Sequence, residues 1–260
     1  RARRHHSKAH AEGEPLIHQR RAEGGAHLGR LHASIVAAMR VEIVTDLVCP
    51  WCYIGKRRFD AALDQLGADG VTLDLQVAYR AFQLDPRAPL DSPTPVREAY
   101  AAKFGSLERA DKILAEVTHV AAQTGIEFRM QHALRANTMR AHRLLKIVAA
   151  RAELLVSATN ESVMRAYFSE GRDIGDTATL VACARRAGLG TDIADDEMLA
   201  AEIASTTPDH ISAAIEADFV WNHANDVTAV PTFVVNDSLS IPGAQDTETF
   251  VRLLGRIAAQ

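Results

Sequence analysis

The chain is short of cysteine and has no long apolar run, and each shortage excludes something. Three cysteines in 260 residues are too few to staple a fold with disulfides, and only Cys49 and Cys52 lie close in sequence. That usage fits a reducing compartment, the cytoplasm, better than a secreted, disulfide-held protein. No stretch reaches the roughly 20 apolar residues that span a bilayer, so no membrane is expected. Charge of one sign is scarce too. A net charge of −4 and a pI near 6.3 give no electrostatic reason to expect nucleic acid or an anionic surface as partner. No second Cys-x-x-Cys and no repeat of fixed period are present. The remaining composition, 47% hydrophobic and 24% charged, is that of an ordinary globular protein.

The most informative residues present are Cys49-Pro50-Trp51-Cys52. The alternating, β-branched run from Val41 to Asp46 predicts a strand before them. Apolar residues at helical spacing from Tyr53 to Leu66 predict a helix after them. Two thiols at a helix N-terminus can close a small disulfide ring. The first faces the unpaired amides and the positive end of the helix dipole, which favour a thiolate. That thiolate attacks in thiol–disulfide exchange, and the second thiol resolves the mixed disulfide. Half a zinc site is the competing reading, but a structural zinc takes four ligands and the spacing of His119, His132 and His142 supplies no partner pair. No metal is expected. An inert pair is the other alternative.

Residues 1–38 differ from the rest: arginine- and histidine-rich, without strand pattern. Met39 looks like a natural start, and 1–38 are expected to be an upstream translated segment, mostly disordered. A second strand is predicted over 71–79, parallel to the first through a right-handed crossover. Pro86, Pro89, Pro93 and Pro95 then make a rigid connection that cannot be helix. Helical periodicity dominates from 96 to 224, with candidate helices at 96–104, 107–124, 138–151, 154–169, 176–188, 195–204 and 208–224, and no strand pattern interrupts it. The β signal returns at 227–235. Asn236-Asp237 predicts a turn to a short returning strand, and a last amphipathic helix covers 246–259. The fold class is therefore α/β: a thioredoxin fold, β-α-β then β-β-α, with a large all-helical insertion. The core is assigned to 39–84 and 225–260, and the insertion to 85–224.

Six ordered motifs carry a family resemblance: Asp46 to Gly55, Arg80 to Leu84, Asn137-Thr138 with Ala141-His142-Arg143, Ala166 to Ile174, Val230 to Phe233, and Gly243-Ala244-Gln245. Together they resemble the FrnE-type branch of the DsbA family of thiol–disulfide oxidoreductases, from Met39 to the C-terminus. The same fold serves 2-hydroxychromene-2-carboxylate isomerases and kappa-class glutathione transferases, which typically carry serine at the position of Cys49. The resemblance implies Cys49 as nucleophile, Cys52 as resolving thiol, Pro50 and Trp51 as the dipeptide that tunes them, and a cis peptide at Val230-Pro231 opposite the pair. It implies no cofactor beyond the redox-active Cys49–Cys52 disulfide. Partners are protein or small-molecule thiols and disulfides, with glutathione open as a co-substrate and a homodimer open as the assembly. The C-terminal cysteine pair of some FrnE-type proteins is absent here.

Asn137 and His142 are candidate cleft residues. The alternative has Asn137 capping the helix near Thr138 and His142 packing at the boundary between core and insertion. Asp46 is a candidate proton acceptor for Cys52, or an exposed strand-end aspartate. Cys183 reads as inert core, and Phe219 and Trp221 as core rather than a ligand platform. Gly243-Ala244-Gln245 with Asp246 is expected to start the last helix. The competing functions are a glutathione-dependent isomerase or transferase, in which Cys52 is dispensable, and a chaperone-like client binder that needs neither thiol.

Overall fold

The computed structural model describes residues 38–91 and 93–259, so all of residues 1–38 but Ala38 lie outside the described residues. Ala38 opens β1 (Ala38–Thr45) rather than ending a disordered segment. β1 leads into α1 (Pro50–Ala68), and β2 (Asp74–Ala81) returns parallel to it. β2 starts three residues later than its alternation predicts, and its first pair is Asp74 with Ala38.

The sheet is completed at the far end of the chain by β5 (Thr232–Val235) and β6 (Leu239–Pro242), in the order β2-β1-β5-β6. β5 is shorter than the predicted 227–235. Pro231 has no N–H for a ladder and Asp226 turns the chain with φ +55°, so 227–231 form a loop. Asn236 and Asp237 both take positive φ in the hairpin turn. β5 is buried at every residue, and α1 and α9 (Thr247–Ala258) pack together, joined through Phe59, Phe233 and Phe250. The order β-α-β then β-β-α around the sheet β2-β1-β5-β6 is that of a thioredoxin fold, with an insertion between its halves.

Between the two halves of the sheet come α2 (Val96–Phe104), α3 (Leu107–Gln123), α4 (Met139–Arg151), α5 (Val156–Phe168), α6 (Thr177–Arg186), α7 (Asp196–Ala204) and α8 (His210–Ala224). Asp176, Asp195 and Asp209 each accept a backbone N–H at the start of their helices, which satisfies donors the helix leaves free. The block is not wholly helical. β3 (Thr94–Pro95) pairs antiparallel with β4 (Leu134–Arg135), a ladder too short for any alternation to announce it.

Candidate active site

The end of β1 and the start of α1 build the site. The chain turns after Thr45, with the Cys49 N–H donating to the Asp46 carbonyl at 3.1 Å. Cys49 sits at the N-cap with extended backbone, φ −86° and ψ 114°. Its carbonyl accepts from Cys52 N–H at 3.1 Å, so the helix begins on it. Pro50 takes the first helical turn, where its missing N–H costs no bond. Cys49 and Cys52 are both buried and both free thiols, while Trp51 between them is 37% exposed.

The two thiols differ in electrostatics. Burial pushes the Cys52 thiol well above the usual range, and the hydrogen bond and negative charge of Cys49 push it further. The Thr45 side chain and the Asp46 backbone pull weakly the other way. Cys52 therefore holds its proton beside Cys49, which occupies the positive end of the helix dipole.

Facing the thiols is the loop before β5. The Val230–Pro231 peptide is cis, and Cys49 Sγ lies 3.8 Å from the Val230 carbonyl oxygen. Gly243 N–H donates to the Pro231 carbonyl at 2.8 Å, Arg58 Nη1 to the Ala244 carbonyl at 2.8 Å. Gly55 lets these pieces meet. A Cβ there would stand 3.1 Å from Pro231 Cγ and 3.3 Å from Ala244 Cα. Gly243 also needs its freedom, with φ +76°. The roles of Gly55 and Gly243 were missed from sequence. A glycine inside a helical pattern, one turn beyond a Cys-x-x-Cys, was the available signal.

At Val48, the residue before Cys49, opens a cavity of about 730 Å³ whose lining also includes Tyr100, Lys103, Phe104, Arg135 and Tyr167. The Tyr100 hydroxyl is pushed up to about 12 by burial and by the charge of Cys49. Tyr167 is pushed well up, chiefly by burial and then by Tyr100.

Comparison with known proteins decides the family. Residues 40–255 match the family model of the DSBA-like thioredoxin domain. The chain belongs to the DsbA-like thioredoxin family. A probable DsbA oxidoreductase from Streptomyces coelicolor is 31% identical, superposes with a TM-score of 0.73, and is matched over 85% of this chain and 91% of its own. The uncharacterized protein YwbO of Bacillus subtilis is 23% identical over 83% of this chain and 96% of its own length. The cytosolic disulfide reductase DsbM from Pseudomonas aeruginosa, 18% identical with a TM-score of 0.58, covers 85% of this chain and 98% of its own. At that identity it shares the fold.

In this DsbA-like chain the side chains of the remaining candidates bond elsewhere in the fold. Asn137 Oδ1 accepts from Met139 N–H at 2.9 Å, and its Nδ2 donates to the Ala88 carbonyl at 2.8 Å. The residue thus ties the start of α4 to the loop after β2. His142 Nε2 lies 3.0 Å from the Phe82 carbonyl oxygen and 3.5 Å from Asp46 Oδ1. Neither lines the cavity. Asp46 is fully buried rather than exposed at a strand end, and its Oδ2 accepts from Leu84 N–H at 2.7 Å. Cys183 is buried on α6, its Sγ 3.6 Å from the Ser162 carbonyl oxygen. Phe219 packs against the core. Trp221 instead lies under the Arg80 guanidinium, 4.2 Å from its ring centroid, because β2 leaves that cation on the edge of the sheet. Asp246 caps α9, accepting from Thr249 N–H at 2.7 Å.

Proposed function

We infer that this chain is a dithiol–disulfide oxidoreductase in which Cys49 attacks and Cys52 resolves. In the reducing direction the Cys49 thiolate attacks one sulfur of a substrate disulfide, and the other substrate sulfur leaves as a thiolate and takes a proton. Cys52 then gives up its proton and attacks Cys49 Sγ, releasing the second substrate thiol. The substrate gains two electrons and the Cys49–Cys52 pair becomes a disulfide. The oxidising direction is the same sequence reversed.

The observation that carries this reading is the asymmetry of the pair. Cys49 stands at the helix N-terminus 3.8 Å from the Val230 carbonyl, and Cys52 is held protonated against it by burial. A resolving thiol must stay protonated until the mixed disulfide has formed, and this arrangement supplies that delay. Protein or small-molecule disulfides in a reducing compartment, the cytoplasm, are the substrate class. Trp51, exposed beside the thiols, gives an apolar contact for either.

The Cys52→Ser variant tests the mechanism. It should accumulate a mixed disulfide on Cys49 when mixed with glutathione disulfide or oxidised insulin, and should not turn over. Intact-mass spectrometry before and after a reductant reads the adduct. Turnover at the parent rate without Cys52 would transfer the case to glutathione-activating chemistry.

A further inference from the structure

Two phenols in the cavity wall have no work within the protein. Tyr167 is 1% exposed and Tyr100 is half-buried, and both line the cavity that Val48 borders next to Cys49. Neither hydroxyl has a hydrogen-bond partner among the described residues, whereas the other two described tyrosines do: Tyr53 donates to Glu161 at 2.6 Å and Tyr79 meets Ser157 at 3.0 Å. Neither is among the fully buried unpartnered atoms, so each hydroxyl opens on the cavity and is free to donate to an acceptor that arrives with a ligand.

We propose that the Tyr100 and Tyr167 hydroxyls donate hydrogen bonds to the substrate sulfur that leaves when Cys49 attacks, which makes them catalytic residues of the exchange. The proposal rests on the oxidoreductase reading above. When Cys49 bonds to one substrate sulfur, the bond between the two substrate sulfurs breaks and the departing one carries the electron pair as a thiolate. A donor placed at that sulfur lowers the energy of the charge as it develops, and the benefit is greatest when the leaving thiol is a weak acid. Position supports the assignment: Tyr100 and Tyr167 line one cavity together with Val48, the residue before Cys49. Both hydroxyls stay protonated at neutral pH, as donors must.

The test is the Tyr100→Phe/Tyr167→Phe double variant, which removes two oxygen atoms and keeps both rings. Its rate of reduction by stopped-flow is compared with the parent's on two probes, glutathione disulfide, whose leaving thiol is a weak acid, and 5,5′-dithiobis(2-nitrobenzoate), whose aromatic leaving thiol is a strong one. The loss on glutathione disulfide should exceed the loss on the aromatic disulfide by about tenfold or more, the scale of hydrogen bonds to a charged group. Equal losses on the two probes, or no loss on either, overturn the proposal. The two single variants are read the same way if the double variant does not fold. A parent that reduces neither probe removes the oxidoreductase reading itself, a different failure from an active parent with indifferent tyrosines.

Discussion

The helical insertion meets the sheet along two seams built in opposite ways. Along the outer edge of β2 the seam is dense with charge. Asp218 on α8 accepts from Ala81 N–H at 2.8 Å and pairs with Arg80 at 3.1 Å and Lys146 at 2.6 Å. One helical turn on, Asn222 donates to the Ala81 carbonyl at 2.9 Å. Arg80 in turn reaches the buried Glu42 at 2.9 Å. The exposed backbone of an edge strand is thereby covered, as edge strands require. At the other seam, where the ends of β1 and β2 approach α2 and α5, a 730 Å³ cavity remains, and two hydroxyls there have no partner among the described residues. One seam is closed by ion pairs and hydrogen bonds to the edge strand, with Asn222 Oδ1 left without a partner there, and it fixes where the insertion sits. The other is left open, and Val48, the residue before Cys49, lines it.

Breaking the closed seam should have the largest effect. Asp218→Ala leaves Arg80 and Lys146 without their carboxylate and Ala81 N–H without its acceptor, and removal of one member of a buried ion pair costs about 3–5 kcal/mol. Chemical denaturation should show that loss. The exchange rate per folded molecule should stay near the parent's, because no atom of this network touches the thiols. A variant that loses its exchange rate in step with its stability would mean the two seams are mechanically one.

A smaller change sharpens the other side. Gly55→Ala adds a methyl 3.1 Å from Pro231 Cγ, and overpacking of this kind costs about 1–3 kcal/mol. Its effect on insulin reduction should outrun its effect on stability, since it separates α1 from the loop that holds the Val230 carbonyl beside Cys49. An exchange rate that falls no more than the folded fraction would break the claim that this contact sets the site.

The closed seam and the open one were not equally legible in the sequence. β1, the Cys-x-x-Cys turn and the helices α2 to α8 of the insertion announce themselves through alternation and 3.6-residue spacing, because those signals are local. The ladder of β3 with β4 was not legible, since two residues make no period. Nor was the burial of Asp46, because an aspartate after a strand reads as surface until the loop at Leu84 is seen to supply its donor. Trp221 read as core from helical spacing, yet its ring covers a cation that sequence places 141 positions away. The orphaned hydroxyls of Tyr100 and Tyr167 are the extreme case. Their lack of partners is a property of the assembled cavity, so only the surrounding motif from Ala166 to Ile174 hinted that the region mattered.

The smallest expected effect separates the resolving thiol Cys52 from Cys183, buried on α6. Burial pushes both Cys52 and Cys183 up, so in the folded chain each prefers its neutral form. As pH rises through the ordinary thiol range near about 8.5, the unfolded chain loses these protons first. Stability contributed by each thiol is thus full below that range and declines as pH rises above it. Tyr53 and Tyr100, pushed up to about 12, add to the decline only once ordinary tyrosines ionise, near about pH 10. Denaturation midpoints between about pH 8 and 10 should therefore fall with pH, and Cys52→Ala and Cys183→Ala should each flatten that slope by up to one proton. Only Cys52→Ala should also halt disulfide turnover. A slope unchanged by Cys52→Ala would mean that its proton is not held by the fold, and the asymmetry between the two active-site thiols would lose its physical cause.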